Sequence, residues 1–245
     1  MIGNLALQLR EGTRNSHTLS ENTAFMQCFL KGKITKSVFR KLLGNFYLIY
    51  YNLESELLNN YSHPVVRKIY FPQLNRTLSI EKDLAFYYGE NWREEISLCP
   101  AVRDYVTRIR EVGVRKPELL VAHSYVRYLG DLSGGQGLKR IVRSSFDLPP
   151  GQGTKFYEFE HFSSFEAQKE FKIKYRNALN SLPIDEATAQ KIVAEANYVF
   201  RLNCNLLHTL ERDIKTSLGE AEFKLVTSNN QPGSTENNLE LSQVS

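Results

Sequence analysis

The chain has five histidines, His17, His63, His123, His161 and His208, and three cysteines, Cys28, Cys99 and Cys204. No Cys-x-x-Cys occurs, and an odd, sparse cysteine count excludes a disulfide framework and a thiolate zinc site and fits a reducing compartment. A di-iron bundle needs two Glu-x-x-His pairs on facing helices; this chain has one, Glu158 to His161, in a segment that reads as loop. Ser124 directly follows His123, which on a helix points the two side chains apart, and there is no Gly-x-Ser-x-Gly elbow. His17 stands in better company. It lies in Arg14-Asn15-Ser16-His17-Thr18, with Glu21 one turn later and Arg14 and Arg10 one and two turns earlier. An imidazole with a carboxylate behind it and a cationic edge beside it suits an anionic, iron-bearing cofactor such as haem.

The second unusual cluster is Gly130, Gly134, Gly135 and Gly137, four of the chain's 14 glycines within eight residues. Helical patterning flanks it, with Leu120 and Tyr128 before and Leu138, Ile141, Val142 and Phe146 after. Each glycine inside a helix costs about 1 kcal/mol relative to alanine. Two readings stand open: a loop joining two helices, or a helix kinked so that bare backbone can approach a flat ligand. The cluster fits no phosphate loop, because no Lys-Ser/Thr ending occurs and Gly135-Gln136-Gly137 has no third glycine after it, which argues against nucleotide binding by this route.

The elements that must position these residues read as helices. Phe39, Leu43, Phe46, Tyr50, Leu53 and Leu57 recur at 4-3-4-3-4 spacing, one apolar face along some five turns. Another helix opens at Pro100 and is expected to stop at Gly113; a third opens at Pro117; a long one follows Pro183 with Asp185 as N-cap and ends before Gly219. His17 is placed near the end of a first helical segment that begins around Asn4. No alternation long enough for a sheet occurs, so the expected fold is all-α and single-domain. The helical domain spans residues 1–226, residues 147–164 form a loop, and residues 227–245 form a polar, disordered tail.

The formal net charge is +4; residues 227–245 hold two acids, Glu236 and Glu240, and no Lys or Arg, so the body carries +6. That suits an acidic partner and falls short of the dense basic stripe of a nucleic-acid binder. The longest charge-free run, residues 42–53, is shorter than the roughly 18 residues a membrane span needs. With no leader before the first helix, a soluble intracellular protein without a membrane anchor is expected.

The run Pro117-Glu118-Leu119-Leu120-Val121-Ala122-His123-Ser124-Tyr125-Val126-Arg127-Tyr128-Leu129-Gly130-Asp131-Leu132-Ser133-Gly134-Gly135-Gln136 closely resembles the signature of haem oxygenases. So do Arg14-Asn15-Ser16-His17-Thr18 with Glu21-Asn22, Tyr70-Phe71-Pro72, Asp83-Leu84-Ala85-Phe86-Tyr87-Tyr88-Gly89, and Phe171-Lys172 with Tyr175-Arg176, all in order over roughly residues 4–215.

The resemblance implies a helical bundle with haem, both cofactor and substrate, between a proximal helix and a glycine-kinked distal helix. His17 is then the iron ligand, with Glu21 beside it. Gly130 and Gly134 let the distal backbone pass close over the haem, and Asp131 holds a water network that delivers protons to the reacting oxygen. Arg10, Tyr125, Lys172 and Arg176 hold the propionates, and Phe200 and Asn203 line the pocket. Arg10 stands where some relatives have lysine, so cleavage at the alpha-meso carbon is less securely implied than cleavage itself. The implied products are biliverdin, carbon monoxide and ferrous iron, with electrons from reduced ferredoxin and biliverdin passed to a bilin reductase. The implied compartment is a cyanobacterial cytoplasm or a plastid stroma. Two alternatives remain: a haem-binding carrier or sensor without turnover, which would have no use for Asp131, and a thiamin-degrading relative, which would need a cysteine in its pocket.

Overall fold

In the computed structural model, residues 4–162, 164–229 and 233–234 are described, and no strand occurs among them. The helices are α1 (Leu5–Gly12), α2 (Arg14–Glu21), α3 (Ala24–Leu30), α4 (Lys36–Asn59), α5 (Val66–Ile69), α6 (Thr77–Tyr88), α7 (Trp92–Glu95), α8 (Pro100–Arg115), α9 (Leu120–Ser124), α10 (Gly130–Phe146), α11 (Phe165–Asn180), α12 (Glu186–Leu218) and α13 (Glu220–Thr227). Of the polar tail expected after Thr227, only residues 228–229 and 233–234 are described; the rest lies outside the described residues.

The long helices start and stop for local reasons. Thr35 accepts a hydrogen bond from the Val38 amide at the head of α4, and Asp185 accepts one from Thr188 at the head of α12. Gly219, at φ +82°, ends α12 where the sequence placed its end. The apolar stripe of α4 is buried as its spacing requires, Phe46 only partly. Alpha 12 is the central post: α1, α2, α3, α4, α8, α9 and α13 all pack against it.

Two expectations need correction. Alpha 8 runs through Gly113 to Arg115. Gly113 is where α8 meets α4, since a Cβ there would sit 2.2 Å from Glu56 Oε2, and the helix stops instead at Lys116, which precedes Pro117 and leaves the helical region at φ −150°. The first helical segment is two helices, broken at Thr13 (φ −109°, ψ 4°), so His17 lies in the middle of α2. Of the two readings left open for the glycine cluster, the helix is the one the structure has. From Pro117 the backbone coils continuously through a 3₁₀ turn (Pro117–Leu119), α9, a π-helical turn (Tyr125–Leu129) and α10. The widened turn ends immediately before Gly130 and re-aims the helix there, the use π turns have at functional sites.

Of the connection expected over residues 147–164, the described residues are irregular apart from a 3₁₀ turn at Lys155–Tyr157. Alpha 11 follows it, capped by Ser164 and held against α9 by a 2.7 Å hydrogen bond between the Tyr175 and Ser124 hydroxyls.

Candidate functional site

Alpha 2 and α10 both border a cavity of about 1100 Å³, large for a small-molecule site. On the α2 side, His17 Nδ1 lies 3.4 Å from Glu21 Oε2, and the imidazole meets Phe200 of α12 edge-on at 5.6 Å between centroids. Glu21 also accepts the Ser234 backbone N–H at 2.8 Å and the Ser234 hydroxyl at 2.6 Å. Burial works against the charge on Glu21, but the neighbouring His17 ring and the Ser234 hydrogen bonds outweigh it and hold its pKa below the usual carboxylate range. With Nδ1 turned to this carboxylate, Nε2 is the nitrogen left for a ligand.

On the α10 side, Gly130 and Gly134 line the cavity, and a Cβ built on either meets nothing within 4 Å. Any side chain there would project into open space, so the glycines keep a strip of bare backbone at the cavity. Asp131, between them, lines the cavity and receives the Tyr50 hydroxyl from α4. Arg127 lies 3.7 Å from Asp131, donates through Nε to the Tyr50 oxygen at 3.0 Å and through Nη1 to Asn203 Oδ1 at 3.1 Å, and sits over the Phe46 ring at 4.4 Å. Burial raises the Asp131 pKa against the pull of Arg127, Tyr50 and Arg76. The group at the cavity is therefore a carboxyl held closer to protonation than an exposed aspartate, on a chain of hydrogen bonds that also includes Asn203.

Of the expected cationic edge, Arg10, Arg176 and Tyr125 line the cavity, whereas Lys172 is half-buried and outside its lining. Burial, and then the neighbouring Arg176, lower the Lys172 pKa. The nearby acid Glu11 is engaged by Arg14, and Arg10, Lys172 and Arg176 have no acidic partner within ion-pair distance among the described residues. Cations gathered without a protein carboxylate form a site for an anionic ligand.

Every residue that the resemblance assigned to the site, except Lys172, borders one cavity. The sequence reading gave no role to Tyr50 or Arg127. Tyr50 lay in plain view on the apolar stripe of α4, where a buried phenol must find a hydrogen-bond partner; Arg127 lay inside the quoted signature. None of the three cysteines lines the cavity, and burial pushes the Cys28 thiol up to about 11, which removes the basis for thiolate chemistry there. His123 is fully buried against Glu195, away from the cavity lining.

No group of three or more His, Cys, Asp or Glu that could hold a metal occurs among the described residues. A lone imidazole can hold iron firmly only if the remaining coordination comes with the ligand, as in a porphyrin. One free imidazole nitrogen, bare backbone, apolar walls and unpaired cations at one edge fit a flat, iron-bearing, dianionic ring.

Comparison with known proteins agrees. The family described as Heme oxygenase matches residues 3–209. A protein named heme oxygenase 2 from Synechocystis sp. is 51% identical over 233 residues, covering 95% of this chain and 93% of that one. One named heme oxygenase 1 from Nostoc sp. is 50% identical, covering 96% and 98%. The crystal structure of heme oxygenase-2 from Synechocystis sp. PCC 6803 in complex with heme and NO superposes with a TM-score of 0.94 at 51% identity, covering 95% of this chain and 96% of that chain.

Proposed function

The chain belongs to the haem oxygenase family, and from that premise we propose how its own residues carry the reaction and which partners it uses. As a haem oxygenase it is an enzyme that degrades haem, with biliverdin as the product the family implies. Haem, when bound, supplies the iron at which oxygen is activated and the ring that is opened, with carbon monoxide and ferrous iron released alongside biliverdin.

His17 is the iron ligand through Nε2, and Glu21 orients its ring from behind; the 3.4 Å Nδ1 contact supports this. Gly130 and Gly134 bring the α10 backbone over the ring without side-chain interference. Asp131 holds the water chain that moves protons to the reacting oxygen, steadied by Tyr50 and Arg127. Arg127 spends Nε and Nη1 on Tyr50 and Asn203, an arrangement that supports proton delivery through water rather than direct contact by a cationic side chain. Arg10, Tyr125 and Arg176 hold the propionates, with Lys172 adding charge from outside the lining, and so set the ring's in-plane rotation and favour the IX-alpha isomer. Phe200 walls the pocket beside His17, and Asn203 fixes Arg127.

Reduced ferredoxin is the proposed electron donor and a bilin reductase the proposed consumer of biliverdin; the +6 charge of the body supports an acidic redox partner. The likeness to cyanobacterial proteins supports a cyanobacterial cytoplasm or a plastid stroma, and no described helix is long and apolar enough to cross a membrane. Residues 1–226 are the catalytic unit in this reading.

The observation that carries it is the pairing, across one cavity, of a single free imidazole nitrogen with glycine backbone that nothing covers. Hemin titration of the purified protein, followed in air after adding reduced ferredoxin and its reductase, tests it. The expected result is a histidine-ligated Soret band that decays as a broad red biliverdin band grows. A Soret band that persists with ferredoxin and with a chemical reductant would make the protein a haem carrier. No haem binding at all would overturn the reading.

A further inference from the structure

Asp83 of α6 is fully buried and does not line the cavity, yet both its oxygens are committed to the connection that follows α10. Oδ1 accepts the Lys155 amide and Oδ2 the Phe156 amide, each at 2.8 Å. The carbonyls of the same short strap are held from other sides. Arg76 donates Nη1 to the Glu158 carbonyl at 2.6 Å and to that of Phe156 at 3.4 Å, and Gln136 of α10 donates to the Tyr157 carbonyl at 3.0 Å. A connection of this kind normally runs over the surface with its polar groups in water. Here the strap is driven inward, and side chains stand in for water at its backbone.

What the strap carries inward is the pair Phe156 and Tyr157, both buried and both lining the cavity. Phe156 meets the Tyr50 ring edge-on at 5.6 Å and the Phe46 ring at 5.4 Å. The Tyr157 ring lies 3.4 Å from where a Gly135 Cβ would stand, against the bare face of α10. Tyr50 in turn holds Asp131, and Phe46 lies under Arg127.

We propose that Asp83 is a positioning residue for haem cleavage: through the Lys155 and Phe156 amides it seats the Phe156–Tyr157 wall that fixes Tyr50, and with it Asp131, at the haem. The proposal rests on the haem-oxygenase reading for what Asp131 does, but the seating of the strap stands on geometry alone. The Asp83 side chain ends on these two amides, one carboxylate oxygen on each. Two acceptor oxygens are needed for two neighbouring donors. Asparagine can serve one of the amides and sets an N–H against the other; alanine leaves both without an acceptor.

The test uses the full chain, wild type, Asp83→Asn and Asp83→Ala, with two readouts. In the haem-free protein, amide hydrogen exchange at Lys155 and Phe156 is expected to accelerate about tenfold or more at one amide in Asp83→Asn and at both in Asp83→Ala. In the ferric haem complex, the pH of the acid-to-alkaline spectral transition, which reads the hydrogen bonding around the iron, is expected to move by about half a unit or more, with haem affinity changed less than about threefold because Asp83 touches no ligand. A purely stabilising aspartate would lower the melting temperature and leave that transition where it is. Unchanged exchange at both amides in Asp83→Asn overturns the seating; accelerated exchange with an unmoved transition overturns the link to Asp131. Should Asp83→Ala fail to fold, Asp83→Asn alone decides both. Failure of the wild type to bind haem would overturn the reading beneath the proposal, while the exchange arm would still decide what Asp83 holds.

Discussion

Tyr50, in the middle of α4, donates its hydroxyl to the carboxylate of Asp131 on α10 while accepting the Nε proton of Arg127 at 3.0 Å. The phenol is thus a relay between a buried cation and a partly buried acid, both lining the cavity. Burial holds the Tyr50 pKa well above its ordinary value, so the phenol keeps its proton and donates throughout the working range.

Removing Asp131 therefore removes the terminal acid of the chain. Asp131→Ala and Asp131→Leu are expected to bind haem with near-normal affinity, lose about a hundredfold or more in biliverdin formation, and divert oxidant into peroxidase-like chemistry. Tyr50→Phe keeps the acid and loses only its orienting donor, so a drop of about tenfold is expected. Biliverdin formed by the Asp131 variants at the wild-type rate would show that the carboxyl has no part in proton delivery.

His17→Ala is expected to abolish the histidine-ligated spectrum while leaving a cavity that still takes up haem, and free imidazole should restore the band. Glu21→Gln keeps a hydrogen-bond partner near Nδ1 but removes the charge. Weaker iron ligation is expected, about tenfold in affinity, with a shifted iron–histidine stretch in resonance Raman spectra. An unaltered stretch would mean that the carboxylate does not act on the imidazole.

Much of this was legible in the chain because local rules and tertiary packing agree there. The stripe from Phe39 to Leu57, the cap at Asp185 and the stop at Gly219 each report a local cause, and the structure reproduces them. The failures come where a long-range contact decides. Gly113 carries the pattern of a helix end, but its missing Cβ serves the approach of α4, which cannot be read from neighbours in sequence. For the glycines from 130 to 137 composition alone left loop and helix both open, and it is the buried flanks and the π turn at Tyr125–Leu129 that keep the helix running. Arg127 hid in full view, since spacing does not tell whether an arginine faces solvent or, as here, an aromatic ring and an amide.

Arg176 borders the cavity and Lys172 does not, so their substitutions should differ. Arg176→Ala is expected to lose a charge-assisted bond worth about 1.5–3 kcal/mol, seen as haem release faster by about 10- to 100-fold, together with mixed biliverdin isomers. Lys172→Ala removes only a neighbouring charge and should change release less than about fivefold at moderate salt. Chromatography of the bilin products separates the two, and equal isomer mixing in both would place Lys172 on the ligand directly.

Glu195 of α12 joins two further helices, accepting Arg108 of α8 through both oxygens, at 2.9 and 2.6 Å, and facing His123 of α9 at 3.1 Å. Burial opposes its ionisation, but the Arg108 and His123 hydrogen bonds outweigh this and bring its pKa down to about 2. Burial lowers the pKa of His123 despite Glu195, so at neutral pH the imidazole is uncharged and the ionic attraction is that of Arg108. An acid whose folded pKa lies below its unfolded value of about 4.5 stabilises the fold above that pH and loses the contribution as pH falls towards 2. The depression corresponds to about 3 kcal/mol at neutral pH. In urea unfolding from pH 6 down to pH 2.5, Glu195→Gln is expected to be less stable than wild type at pH 6, and the gap should close by most of that amount by the acid end. Arg108 bears on α9 through this carboxylate, and α9 leads directly into the turn that aims Gly130 and Asp131. Parallel stability curves for the two proteins across that range would mean that Glu195 titrates alike in the folded and unfolded chain, and that Arg108 and His123 do not favour its ionised form.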